Sequence, residues 1–255
     1  MSNTEIKVIP IFDLIEFSKR KGGYLAVDLS YGYDVNQDLL KYLQYDVMPD
    51  YLHVMDKSRS IEHILDVTRN SLILAQDMGL DLDTVMTAAV YHDIGTTFDF
   101  KNLFGKDYYY ESYESLKEDE YTLLELGLTK KKIQLIEIAI LEMGLNRKSS
   151  PYSTLLADAD KLSELNPKYL IKKVSDNIVS MYTYKPVDVL VDAIFETIHK
   201  KYGSEKSPGR RFYTPIGRHI RDRKIKDIER IANDKDIFLY EFKKLIDIEM
   251  EKDKD

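Results

Sequence analysis

The sequence predicts an all-α fold with few or no strands, on three observations. From residue 58 onward, apolar residues recur at helical spacing rather than in alternation. Glycines and prolines mark the borders of these runs, as at Gly79, Gly127, Pro151, Pro167 and Pro186. The 255 residues are 44% apolar and 32% charged, enough for one sizeable core or one core with a small appendage.

Residues 1–50 are set apart as an N-terminal extension with no element type assigned. "IKVIPIFDLIEF" reads equally as a short strand or a helix start, and "KGGYLAVDLSYGYD" mixes turn residues with a strand pattern. The helical domain is expected over 51–255. Its first helix follows Ser58 or Ser60 as N-cap, shows Ile61, Ile64, Leu65, Thr68, Leu72 and Ala75 on one face, and stops at Gly79. The next takes Asp83 as N-cap and places Val85, Ala88, Ala89 and His92 on its buried stripe, with Gly95 where a left-handed residue would end it. Residues 98–115, "FDFKNLFGKDYYYESYES", read as an irregular aromatic loop covering a pocket or a core. Helices are then expected over 115–126 and 129–143, from Pro151 through Leu165, from Pro167 to about Tyr182, and from Pro186 through His199. After the loop "KYGSEKSPGRR", a last helical stretch covers roughly 214–250.

Composition narrows the function classes. A net charge of −7 argues against a dedicated binder of nucleic-acid polymers, which needs a basic surface to meet phosphates. The basic cluster "PGRRFYTPIGRHIRDRK" still suits a small anion. With no cysteine, thiolate nucleophiles and cysteine–metal sites are excluded, so any transition metal must be held by imidazole nitrogen and carboxylate oxygen. No 18-residue apolar run occurs, and the N-terminus has no cationic region leading into a long apolar one. The expectation is a cytoplasmic protein without a membrane partner.

Against this background a few polar residues stand out. "AAVYHDIG" sets His92 beside Asp93 at the end of an apolar helix. "SRSIEHILDVTRN" places His63 next to the apolar stripe of the preceding helix. In "LLADADKLSEL", Asp158 and Asp160 interrupt an apolar helix, where each buried carboxylate needs a cation, a hydrogen-bond donor or water. His63, His92, Asp93 and one of the two later aspartates together suit a borderline divalent ion. Helical geometry puts Asp158 nearer the stripe of Leu155, Ala159, Leu162 and Leu165.

These residues resemble the H…HD…D signature of the HD-domain metal-dependent phosphohydrolases. "DKSRSIEHILDVTRNSLILA", "AAVYHDIG" and "SSPYSTLLADADKL" are similar to the corresponding segments of small bacterial HD hydrolases, in the same order and over roughly residues 55–180. The resemblance implies an HD-domain-like helical bundle, with the metal core at about 55–180 and C-terminal helices at about 186–250. It implies that His63, His92, Asp93 and Asp160 hold one divalent ion (Mn, Fe, Ni, Co, Zn or Mg). Asp93 and Asp158 would be the catalytic carboxylates, Asp158 as a partner to the ligands or as a water-orienting base. The expected substrate is a small phosphorylated metabolite, with a nucleotide as first candidate, and a homodimer is compatible with this reading. Arg59, Arg147, Lys161 and Arg218 are the candidate phosphate-binding cations.

The chain also departs from the family. Close relatives often have a second histidine where Arg59 stands, and two-metal relatives add histidines within 94–157, where this chain has none. One metal is therefore expected. The alternative is an HD-fold sensor or scaffold that keeps the metal pocket with little or no turnover.

Overall fold

Asn36 shows how the first described helix begins. Its side-chain oxygen accepts from the backbone N–H of Asp38 and Leu39, which caps α1 (Gln37–Tyr42). Its side-chain nitrogen donates to the Leu126 carbonyl at 2.7 Å, and its backbone N–H donates to Asp83 Oδ1 at 2.8 Å. A single residue thus joins three stretches of chain. In this computed structural model the described residues are 29–53, 61–97, 108–145, 147–181, 186–203 and 212–252. Among them the chain forms eleven α-helices and no strand, as the helical periodicity predicts.

The chain gathers into two units, residues 1–160 and 161–255. In the first, α1 runs on through a π-helical turn (Leu43–Val47) and a 3-10 turn (Met48–His53). Part of the stretch given no element type is therefore helical. It is tied down by Tyr51, whose fully buried hydroxyl donates to the Val90 carbonyl at 2.6 Å. The expected N-caps Ser58 and Ser60 lie outside the described residues.

Helix α2 (Ile61–Met78) buries the whole predicted stripe together with His63, Val67, Asn70, Ser71 and Leu74. It is covered on more than one side, so the stripe marks only part of its contacts. Helix α3 (Leu82–Tyr91) is buried at every position from Thr84 to Tyr91. Its N-cap is Asp81 rather than Asp83: Asp81 accepts from Thr84 N–H at 2.9 Å and pairs with Lys132 at 2.8 Å. Burial opposes ionisation of Asp81, but the Lys132 and Thr84 contacts hold its carboxyl below the ordinary range. The Asp83 carboxylate is taken by Asn36 instead.

The chain leaves α3 through a 3-10 turn (Ile94–Thr97). Gly95 does not take the expected left-handed conformation; among the described glycines, positive φ belongs to Gly32, Gly79 and Gly127. Gly79 and Gly127, at +65° and +96°, end helices as read from the sequence.

The predicted loop over 98–115 is corrected from Tyr108 onward, where α4 (Tyr108–Glu118) begins, while 98–107 lie outside the described residues. The helix expected over 115–126 is two helices, because Asp119 breaks the run before α5 (Glu120–Glu125). Helix α6 (Lys130–Gly144) packs against α3 and α4. Helix α7 (Pro151–Ser163) carries the two late aspartates and is tied to α2 by Asn70, which donates to the Ala159 carbonyl at 3.3 Å.

In the second unit, α8 (Pro167–Met181), α9 (Val187–Tyr202), α10 (Pro215–Asn233) and α11 (Lys235–Lys252) pack on one another. The single helical stretch predicted over 214–250 is broken at Asp234, which is extended at φ −129°. Phe195, Phe238 and Phe242 form a ring cluster there. His199 closes its edge, with Nδ1 2.8 Å from the Ala232 carbonyl, a packing role. No helix among the described residues is long and apolar enough to cross a membrane.

The joint between α6 and α7 is built on one buried carboxylate. Glu142 accepts from Ser149 N–H at 3.0 Å, from the Ser149 hydroxyl and from the Ser153 hydroxyl. Burial pushes its pKa up, yet the hydrogen bonds from Ser149 and Ser153 overcome this and hold it below the ordinary value of 4.5. A depressed folded-state value stabilises the fold above the ordinary one, and this stability is lost as pH falls. Glu142→Gln is expected to cost roughly 1.5–3 kcal/mol at pH 7. The gap to wild type should narrow below pH 4.5, as read by urea unfolding at both pH values.

Candidate metal centre

Three helices deliver the polar cluster in the first unit. His63 stands in the first turn of α2, His92 and Asp93 directly follow α3, and Asp160 lies near the end of α7. Adjacent residues within a helix point about 100° apart, so His92 and Asp93 can converge only where the helix stops. Helix α3 stops at Tyr91, and His92 Nε2 comes 3.5 Å from Asp93 Oδ2. His63 Nε2 lies 3.5 Å from Asp93 Oδ2 and 3.4 Å from Asp160 Oδ1.

One donor atom each from His63, His92 and Asp93 falls within 4.8 Å of the others, and all three residues are buried. Donors bonded to one ion at about 2.1 Å sit about 3–4 Å apart, so the spacing suits a shared cation. The Asp160 side chain, 28% exposed against 4% for His63, marks the more open side of the cluster.

The tautomer of His92 gives the cluster its sense. Its Nδ1 lies 2.7 Å from the Ala89 carbonyl, which can only accept, so Nδ1 carries the proton and Nε2 the lone pair. Nε2 is buried and has no hydrogen-bond partner. A bare lone pair in the core is costly, and a cation between His63, His92 and Asp93 removes that cost. Two imidazoles and one or two carboxylates form the mixed nitrogen–oxygen set that first-row divalent ions accept.

Without a metal, charge inside the cluster is carried by His63. Burial alone would lower its pKa, but the Asp160 and Asp93 carboxylates beside it push it up to about 9. Asp160 responds in the opposite sense: burial raises it, and His63 brings it below the ordinary carboxylate value.

Residues outside the sequence motif hold this arrangement. The Ser112 hydroxyl, on α4, donates to the His92 carbonyl at 3.1 Å and accepts from Gly95 N–H at 2.9 Å. A Cβ on Gly95 would lie 2.7 Å from Ser112 N and closer still to the Tyr108 carbonyl, so only glycine lets α4 approach this turn. Thr96 donates through N–H and hydroxyl to the Asp93 carbonyl, at 3.0 and 2.7 Å. Burial raises the pKa of Tyr109, on the first turn of α4, and the negative charge of Asp93 adds to this. Sequence patterning missed Ser112, because "YYYESYES" carries no ligand spacing; its dense tyrosines were the available signal.

The remaining predicted site residues fall as follows. Asp158 is fully buried on α7, and Asp160, not Asp158, is the carboxylate paired with His63. Arg147 is exposed in the loop after α6, with its N–H donating to the Glu142 carbonyl at 3.0 Å. Arg59 lies outside the described residues. Lys161 and Arg218 belong to the second unit. There Lys161 Nζ stands 4.7 Å from the Tyr213 ring centroid, and Arg218 donates to the Phe212 and Tyr213 carbonyls at 3.3 and 3.1 Å.

Comparison with known proteins points to the same stretch of chain. Residues 60–165 match the sequence profile of the family described as the HD domain, a stretch that contains all four residues of the cluster. That superfamily consists mostly of phosphohydrolases, and its domains bind divalent metals. The chain is also 31% identical over 108 residues to an uncharacterized protein of Clostridium beijerinckii, covering 42% of this chain and 65% of that protein. The shared stretch is thus less than two thirds of that relative. No solved structure matches the chain.

A raised histidine pKa has a definite consequence for stability. Protonated His63 stabilises the metal-free fold fully below its ordinary value of 6.5, and this is lost as pH rises through about 9. Metal-free protein is expected to melt progressively lower across that interval. Saturation with Mn²⁺ should flatten the profile and release about one proton per ion at pH 7.5, measured by calorimetry in buffers of different ionisation enthalpy.

Proposed function

We propose that this protein is a divalent-metal-dependent phosphohydrolase acting on a small phosphorylated metabolite, with a nucleotide as first candidate. The observation that carries the reading is the lone pair of His92 Nε2. It is buried without a hydrogen-bond partner and directed into a cluster with His63 and Asp93. Asp160, at 3.4 Å from His63 on the more open side, completes a set of four ligands to one ion.

The bound metal would supply Lewis acidity toward a phosphoryl oxygen and lower the pKa of a water molecule for attack. The chain's own groups do the rest. Ala89 keeps His92 in the tautomer whose Nε2 can bind a cation, and Thr96 fixes the peptide of Asp93. Asp158, two residues before Asp160 and fully buried, would be a partner to the ligands or a water-orienting base. Arg59 or Arg147 would neutralise phosphate charge in the same unit.

A ligand-binding sensor is the second reading. It is favoured by the absence of histidine from residues 94–157, where two-metal relatives carry further ligands.

Protein purified without a histidine tag is expected to contain about one divalent ion per chain by elemental analysis. With Mn²⁺, Ni²⁺ or Co²⁺ it should release phosphate from at least one member of a nucleotide and phosphomonoester panel. A double variant, His92→Ala with Asp93→Ala, should lose both properties. Stoichiometric metal with no phosphate release above the double variant would favour the sensor instead.

A further inference from the structure

Ser112 departs from what helical hydroxyls elsewhere in this protein do. Thr68, Thr87, Ser115, Ser175 and Thr197 each donate to the carbonyl four residues back in their own helix, at 2.7–3.0 Å. Ser112 is fully buried in α4, yet its hydroxyl leaves that helix. It donates to the His92 carbonyl, 20 residues back, at 3.1 Å and accepts from Gly95 N–H at 2.9 Å. The two bonded groups stand on either side of Asp93, so one hydroxyl closes the turn that carries two of the clustered residues.

A helix that ends inside a core must find partners for its last carbonyls. Around the end of α3 these partners are side chains. The Ala89 carbonyl meets His92 Nδ1, and the carbonyls of Val90, His92 and Asp93 accept from Tyr51, Ser112 and Thr96. Of these four carbonyls, that of His92 belongs to the peptide joining His92 to Asp93. Rotating this peptide turns the Asp93 carboxylate against the His92 ring, whose facing atoms now stand 3.5 Å apart. Donors that share one ion tolerate displacements of only about 0.5 Å and 10–20°. Gly95 lets α4 come close enough for the contact, since a Cβ there would lie 2.7 Å from Ser112 N.

We propose that Ser112 is a positioning residue of the metal centre. By bonding the His92 carbonyl and Gly95 N–H at once, its hydroxyl holds the His92 and Asp93 donors at the spacing one ion requires, and so sets the affinity for that ion. The inference rests on the reading of this cluster as a divalent-ion site and extends it to a residue outside the ligand pattern. It assigns the docking of α4 a role in metal binding as well as in packing.

Ser112→Ala tests this in the full chain, with Mn²⁺ as the probe and calorimetry as the readout. Its Mn²⁺ dissociation constant is expected to rise about 10- to 100-fold. Unfolding does not imitate such a loss, because a variant about nine-tenths folded loses only about a tenth of its apparent affinity. Thr87→Val is the matched control. It removes the hydroxyl bond of another fully buried residue, on α3 itself, and should lower the unfolding midpoint while leaving Mn²⁺ affinity at the wild-type value. Ser112→Cys, which keeps the shape and a weak donor, should bind Mn²⁺ with an affinity between those of wild type and Ser112→Ala, and it carries the test if Ser112→Ala does not fold. Wild-type Mn²⁺ affinity in either Ser112 variant overturns the proposal, as does an equal loss in Thr87→Val. A wild-type protein that binds no Mn²⁺ overturns it together with the metal centre. If the Ser112 variants bind Mn²⁺ more weakly and wild type releases no phosphate, the hydrolase reading fails and the role of Ser112 stands.

Discussion

The first unit depends on one constraint: its most buried helix ends inside the core on two polar side chains. Helix α3 is enclosed at every position from Thr84 to Tyr91, so His92 and Asp93 emerge where water cannot satisfy them. His63 from α2 and Asp160 from α7 are the groups that meet them. Four ionisable residues from three helices thus share one small volume. Its charge can be balanced by a proton on His63 or by a cation among the donors. The two solutions compete for the same nitrogen, which couples metal occupancy to pH and to stability.

Because the cluster is unforgiving of displacement, the turns around it are held by side chains bonding to backbone. Ser112 spans the turn after α3, Thr96 closes on the Asp93 carbonyl, and Ala89 fixes the His92 ring. Farther out, Asn36 joins α1 to α3 and to the end of α5, while Asp81 and Lys132 join α3 to α6. Glu142 gathers the loop that leads into α7, the helix bearing Asp160. These contacts preorganise the donors, so that ligand geometry does not have to be assembled when an ion arrives.

The same fold class hosts many chemistries, so function has to be argued from the residues at the site. Here the mixture of imidazole and carboxylate, the absence of thiolate and the open side at Asp160 all favour a borderline divalent ion with a position left for water. The profile match over residues 60–165 covers the segment that carries the cluster, and α8 to α11 lie beyond it.

The all-α class and most helix borders were legible in the amino-acid sequence, because each rests on local information. Periodicity reports which side of a helix is buried, and Gly79 and Gly127 stop helices by their own backbone preference. The set of His63, His92, Asp93 and Asp160 was what the family resemblance implied, since helical geometry alone favoured Asp158 over Asp160. Tertiary structure decided the rest. Asp81 caps α3 because Asn36, 47 residues before Asp83, occupies the other aspartate. Tyr108–Glu118 is helical although its tyrosines show no clean stripe, because Ser112 and Gly95 dock that segment onto the turn after α3. Gly95 is needed for a close approach by a distant backbone, not for a left-handed turn. In each case the deciding partner lies far away along the chain, and no local preference encodes it.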